Sequence, residues 1–202
     1  MRRVALIILL SIAAQGADDK DKTRFAPAKA ASYPGHQTIE KITVAAVPFI
    51  NEDQAKTAFG KVNPYKYGVL PVLVIIENGT GKAVRLDLTA EYVDPGGRHV
   101  VASDPDYIYH MNAGDVQRTR IPAPNPLPLP QRDKKGPLGI WEITGRAFTA
   151  KMLPEADSAF GFFYFVTEHI DGSTLYLTGL KDAATGQDYF YFEVPVKLPG
   201  QK

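Results

Sequence analysis

The sequence of 202 residues predicts an all-β domain, an antiparallel β-sandwich of about eight strands with one short helix. Short stretches rich in β-branched and aromatic residues recur along the chain, some continuously apolar and some alternating apolar and polar. Turn sequences rich in Gly, Pro, Asn and Asp separate these stretches at short, regular spacing. Because helical patterns do not alternate with the strands, a sandwich is favoured over β–α–β units.

The first elements precede the main strands. Residues 37–49, QTIEKITVAAVPF, are rich in strand formers and predict one strand. The short helix is predicted at residues 52–59. Asn51 is a suitable N-cap, Gln54 stands three residues later as in a capping box, and Gly60 follows the last turn.

Two strands of different character follow. VLPVLVIIE (69–77) is apolar throughout and predicts a strand that is buried on both faces. KAVRLDLTAEYV (82–93) alternates strictly and predicts a strand with one face in water. The sequence NGTG (78–81) between them is typical of a hairpin turn. It also matches a glycosylation acceptor at Asn78, which is the less favoured interpretation.

The remaining strands are predicted after the turn DPGG and in the C-terminal half of the chain, at residues 99–103, 139–153, 158–168, 173–180 and 187–198. Aromatic residues are concentrated towards the C-terminus. The favoured interpretation is that they fill the core between two sheets. A platform on which a ligand stacks is the alternative.

The segment IPAPNPLPLP (121–130) carries a proline at every second position. Alternate residues of a strand share one side, so these prolines remove the backbone donors along one edge and predict a stiff structural strap. Leu127 and Leu129 would then face the core beside the strand that bears Trp141, and residues 131–138 would form an exposed loop. The alternative is that the strap docks a partner, with these three side chains as the interaction strip.

Residues 1–16 predict a secretory signal peptide. Arg2 and Arg3 precede an apolar run at residues 4–14, and small residues stand at the cleavage site before Ala17. The apolar run would be about 16 Å long as a helix, against roughly 30 Å of hydrocarbon in a bilayer. A retained membrane anchor is therefore the less favoured interpretation, and no transmembrane segment is expected after cleavage.

Charge and composition add to this picture of an exported chain. Residues 17–36 are charged and Ala-rich and predict a flexible tether, so a single sandwich domain is expected over 37–198. Basic residues (23) balance acidic ones (22), which gives no electrostatic basis for binding nucleic acid. Cysteine is absent, so the core must stabilise the fold without disulfides. Together these features indicate a periplasmic or secreted bacterial protein.

The paired strands LPVLVIIENGTGKAVRLDLTAEYV and the closing strands FGFFYFVTE and QDYFYFEVPV resemble exported bacterial immunoglobulin-like β-sandwich proteins of uncharacterised function. The resemblance covers roughly residues 37–198 and implies the same architecture. It implies no functional residue, because the cysteine pair of true immunoglobulin domains is missing.

Signatures of catalysis and metal binding are weak in this sequence. No serine stands in a G-x-S-x-G elbow, the four histidines are dispersed and are predicted at the surface or in turns, and Asp104-Pro105-Asp106 lacks the rest of a calcium loop. The sequence therefore predicts no catalytic, cofactor or metal site. The function expected is a non-catalytic binding or accessory module of the cell envelope, with an envelope protein as its partner. An exported hydrolase of unrecognised type is the alternative.

Overall fold

A computed structural model describes residues 25–115, 138 and 140–200, and it confirms the all-β sandwich. The described strands form two antiparallel sheets. Their bounds are β1 His36–Ile39, β2 Ile42–Pro48, β3 Leu70–Asn78, β4 Val84–Val93, β5 His99–Val101, β6 Met152–Leu153, β7 Ser158–Phe165, β8 Thr174–Asp182 and β9 Phe192–Pro195. The helices are α1 Glu52–Phe59, α2 Pro105–Asp115 and α3 Ile140–Thr144.

The first sheet has the strand order β1-β2-β3-β7, and the second has the order β5-β4-β8-β9, with β6 also paired to β4. One apolar cluster fills the space between the sheets and includes Val74, Leu86 and Leu177. A second cluster lies on the other face of the first sheet. The strand β3 therefore contributes to both clusters, which confirms the prediction that its continuous apolar run is buried on both faces.

Helices cover the outer face of the first sheet and form a third layer. The sequence predicted α1 but neither α2 nor α3. The helix α1 matches the prediction at residues 52–59, with Gln54 Oε1 accepting from the Asn51 backbone N–H at 3.4 Å. Ile108 of α2 and Ile143 of α3 are fully buried in the same cluster. The amphipathic α1 and these two anchors together seal the sheet from water.

The single strand predicted at residues 37–49 is a hairpin of β1 and β2. Glu40 and Lys41 form its turn and adopt φ values of +48° and +66°. Two successive positive φ angles are the geometry of a tight hairpin turn that Asn and Gly usually occupy. Because neither residue is Gly or Asn, the turn left no signal in the sequence.

The hairpin predicted at NGTG is wrong, because β3 and β4 lie in different sheets and do not pair. Asn78 is only 2% exposed, and its Nδ2 lies 2.7, 3.2 and 2.9 Å from the carbonyl oxygens of Lys82, Leu153 and Pro154. The side chain thus ties the connection to a segment that is distant in sequence and directs β4 into the second sheet. An amide nitrogen buried in this way is incompatible with the glycosylation interpretation.

The strand predicted over residues 139–153 is also wrong. Its first part is α3, which ends where the Gly145 N–H donates to the Trp141 carbonyl at 3.0 Å. The chain then pairs with β7 near Arg146 and with β4 near Lys151, so it passes from one sheet to the other. A segment that changes sheets closes this side of the sandwich and cannot be one regular strand.

The aromatic residues of the C-terminal half divide between three environments. Phe165 and Phe192 lie between the sheets, as predicted. Phe162 and Tyr164 are buried beneath the helical layer instead. A third group is exposed and includes Trp141, Phe160, Phe190 and Tyr191. The prediction of a single aromatic core is therefore correct only for the inward positions.

Order extends further towards the N-terminus than the boundary predicted at residue 37. Ala30 is fully buried and its N–H donates to Glu77 Oε1 at 3.0 Å. The strap (121–130), with Leu127 and Leu129, lies outside the described residues, and so do residues 131–137 of the predicted exposed loop. Leu138, the last residue of that loop, is fully buried, so the prediction of exposure is wrong at this position. Among the described residues, no helix is long and apolar enough to cross a membrane.

Candidate functional site

A groove of about 680 Å³ opens between α1 and α3 on the helical face of the molecule. We call it the Trp141 groove. Its lining is formed by three parts of the chain: Phe25 and Ala26, the end of α1 at 56–60, and the side chains of Trp141, Glu142 and Arg146. It is thus built from the N-terminal segment and the helical layer, neither of which belongs to the sandwich proper.

Trp141 is the single tryptophan of the chain and is 84% exposed. The helix α3, which carries it, is anchored to the first sheet. Ile143 is fully buried, and its carbonyl accepts a 2.7 Å hydrogen bond from the hydroxyl of Tyr164 in β7. Burial also raises the pKa of Tyr164, so this donor stays protonated. The sequence predicted a strand at Trp141; the residue lies instead on the helix α3, with its indole exposed.

The floor of the groove is aromatic. The ring of Phe25 lies 5.8 Å from the ring of Phe49 and 5.8 Å from that of Phe162. Phe59 contacts Phe162 in turn, with ring centroids 4.7 Å apart. These edge and tilted contacts hold the floor in one arrangement.

Charged groups stand around this floor. The guanidinium carbon of Arg146 lies 5.7 Å above the centroid of Phe25, a cation–π contact that orients the side chain. Lys56 from α1 adds a second cation, and Glu142 adds one carboxylate. The lining therefore offers an exposed indole, an apolar floor and an excess of positive charge, which is suited to binding.

A second cavity, about 570 Å³, lies at one end of the sandwich beside Lys82 and Asp182. Here the charges serve the fold. Asp182 accepts from the backbone N–H groups of Ala184 and Thr185, each at 2.9 Å, and from Lys82 Nζ at 3.3 Å. These hydrogen bonds lower the pKa of Asp182 to about 2. Because the Asp182 carboxylate already accepts hydrogen bonds within the turn at 182–186, this cavity is the weaker candidate for a binding site.

The histidines do not converge on a site. His36 Nδ1 bonds to the Tyr33 carbonyl at 2.6 Å, and His99 Nδ1 pairs with Glu91 at 2.8 Å on the surface of the second sheet. His169 lies in the connection between β7 and β8, as the prediction of a surface or turn position allows, but its side chain is only 3% exposed. Among residues 25–115, 138 and 140–200, no three His, Cys, Asp or Glu side chains are grouped to hold a metal ion.

No protein-family model matches the chain, and no curated protein sequence is significantly similar to it. The candidate site is therefore assigned from its geometry. Of the three residues of the predicted interaction strip, the structure places only Trp141, and it adds Phe25 and Arg146, which the sequence did not single out.

Proposed function

We propose that the protein is an exported, non-catalytic binding module of the bacterial cell envelope and that the Trp141 groove is its binding surface. The observation that supports this is the single, 84% exposed indole on a helix anchored by Ile143 and Tyr164. Trp is enriched among the side chains that dominate binding energy, and this indole stands beside a groove with an apolar floor and an excess of positive charge.

The partner we propose is an envelope protein that presents a short segment with an apolar side chain next to an acidic one. The apolar side chain would pack on Trp141 and on the floor at Phe25. The acidic side chain would pair with Arg146 or Lys56, because these two cations outnumber the carboxylate of Glu142 in the lining.

The role of Trp141 is tested by capturing envelope proteins with the mature protein and with Trp141→Ala. Trp141→Ala is expected to change the free energy of unfolding by no more than about 0.5 kcal/mol, because the side chain is exposed. It is expected to abolish capture of the partner. Met152→Ala, a half-exposed residue of β6 outside the groove, is the matched control and should capture the partner as the wild type does.

A supporting result also requires that a peptide from the captured protein, with its apolar and acidic residues, competes for the wild-type protein. Replacing the acidic residue of that peptide should weaken competition. Identical sets of proteins captured by the wild type and by Trp141→Ala would exclude this groove as the binding surface.

Export is the second part of the proposal. It is supported by the pattern of residues 1–16 and by the resemblance to exported immunoglobulin-like sandwich proteins. We expect the intact mass of protein recovered from the periplasm or the medium to correspond to a chain that begins at Ala17, within a few residues. Recovery of the full-length chain from the membrane fraction would contradict this expectation.

A further inference from the structure

Residues 166–173 connect β7 of the first sheet to β8 of the second across one end of the sandwich; we call this connection the 166–173 crossover. Two tyrosine hydroxyls hold it in place. The Tyr92 oxygen accepts from the Ile170 N–H at 2.9 Å, and the Tyr65 oxygen lies 3.3 Å from the His169 backbone nitrogen, which donates to it. Tyr92 is fully buried in β4, so the crossover is attached directly to the core.

The imidazole of His169 lies between the crossover and the core. Its Nδ1 is 3.1 Å from the Tyr92 hydroxyl, and the two rings meet edge to face at 6.3 Å. Its Nε2 is buried and has no hydrogen-bond partner. A buried polar atom without a hydrogen-bond partner is uncommon in folded proteins, so the burial of this nitrogen calls for an explanation.

Protonation of the ring would be compensated only in part. From β4 the ring is approached by the Tyr92 hydroxyl, whereas the Tyr65 hydroxyl contacts the His169 backbone. From the crossover itself Asp171 Oδ1 lies 3.6 Å from Nε2, on a side chain that is 79% exposed. Burial lowers the pKa of His169, and the Asp171 carboxylate offsets part of that shift.

A positive charge from the turn between β4 and β5 contacts the same crossover. Arg98 Nη2 donates to Thr167 Oγ1 at 3.0 Å, while its Nε pairs with Asp94 Oδ2 at 3.0 Å. Because the Asp94 carboxylate is already shared between this guanidinium and the Arg98 backbone N–H, it is committed to the β4–β5 turn. An imidazolium at His169 would therefore have the carboxylate of the exposed Asp171, 3.6 Å from Nε2, as its counterion among the described contacts.

We propose that the 166–173 crossover is an acid-sensitive latch in which neutral His169 closes the end of the sandwich on Tyr92 and protonated His169 releases it. On protonation both ring nitrogens become donors. The imidazolium is then better solvated outside, beside Asp171, than against the Tyr92 ring. Release of the crossover would expose the adjoining rings of Tyr92 and Phe165, whose centroids are 5.8 Å apart. This proposal is independent of the Trp141 groove.

The direction of the pH effect follows from linkage. In the released state the His169 pKa is near its ordinary value of 6.5, and in the closed state it is lower. The closed state of the latch is therefore at its most stable above about pH 6.5. Between that pH and the lower pKa of the closed state, the opening constant rises up to about tenfold for each unit of acidification.

The test is the hydrogen-exchange protection factor of the 166–173 amides in the mature protein, measured from pH 7.5 to pH 4.5. We expect protection of the Ile170 and Ser173 amides to fall up to about tenfold per pH unit below pH 6.5, while protection in β3 stays constant. His169→Asn retains a neutral polar group near Tyr92 but does not titrate, so it should remove this pH dependence. His99→Asn, on the surface of the second sheet, should behave as the wild type.

An unchanged protection factor in the wild type across this range would overturn the proposal, and so would the same pH dependence in His169→Asn. If His169→Asn does not fold, the ring protons of His169 in the wild-type protein give the answer by titration. A pKa below 6.5 with loss of crossover protection over the same interval would support the latch. Titration without loss of protection would contradict it.

Discussion

Replacing Gly179 with alanine is expected to lower the free energy of unfolding by about 3–5 kcal/mol, the sum of backbone strain and overpacking. Gly179 lies in β8 opposite a bulge in β4, where two residues, Asp87 and Leu88, face one. Its φ is +88°, and an added Cβ would lie 2.0 Å from the Asp87 carbonyl oxygen. Both strands are central to the second sheet, so neither can move aside without disturbing the core.

Gly186→Ala is the matched control for this variant. Gly186 also has a positive φ, +74°, but no heavy atom lies within 4 Å of the position of an added Cβ. Its free energy of unfolding should therefore fall only by the cost of backbone strain, about 1 kcal/mol. Denaturant unfolding of both variants measures the difference. If Gly179→Ala lost no more stability than Gly186→Ala, the close approach of β8 to the bulge would be disproved.

The second large effect is expected at Asn78, where alanine should cost about 3–5 kcal/mol. The change removes both N–H donors of a buried amide that serves the carbonyl oxygens of Lys82, Leu153 and Pro154. Each buried acceptor left without a partner costs about 1–3 kcal/mol. Leu153 lies in the interior beside β4, so water cannot readily replace the lost donor.

Thr80→Ala tests the same connection without disturbing those donors. It removes the hydroxyl that donates to Asn78 Oδ1 at 2.7 Å, and the expected loss is about 1 kcal/mol. Thermal or denaturant unfolding distinguishes the two variants. Equal losses would mean that Asn78 acts only as a local turn residue and does not join β3 to the Leu153–Pro154 segment.

Elements decided by neighbouring residues could be predicted from the sequence. The helix α1 begins after Asn51 and ends before Gly60, as its local capping residues indicate. The continuous apolar run of β3 correctly predicted burial on both faces. In both cases the determining interaction is either within one helical turn or a property of the strand as a whole.

Elements decided by distant residues could not be predicted in this way. The sequence NGTG has the composition of a hairpin, but the acceptors that hold Asn78 belong to Leu153 and Pro154, 75 and 76 positions away. His169 is buried because its partner, the Tyr92 hydroxyl, is supplied from 77 positions away. No local pattern signals such pairings.

The candidate site was predictable only in part. Trp141 was predicted as part of an interaction strip beside the strap, but on a strand, whereas it lies exposed on the helix α3. Phe25 stands in a segment whose composition predicts a tether. Its place in the groove depends on contacts with the rings of Phe49 and Phe162. Phe49 directly follows β2 and Phe162 lies in β7, so both partners are distant from Phe25 in sequence.

The most direct test of binding through the Trp141 groove is acrylamide quenching of the protein's fluorescence. Because the chain has a single tryptophan, quenching of its emission reports the accessibility of this groove alone. Adding a tryptophan-free peptide from the captured partner is expected to reduce the quenching constant and shift the emission to shorter wavelength. Partner binding that leaves the quenching constant unchanged, or protection that increases with the protein's own concentration in the absence of any partner, would contradict the account.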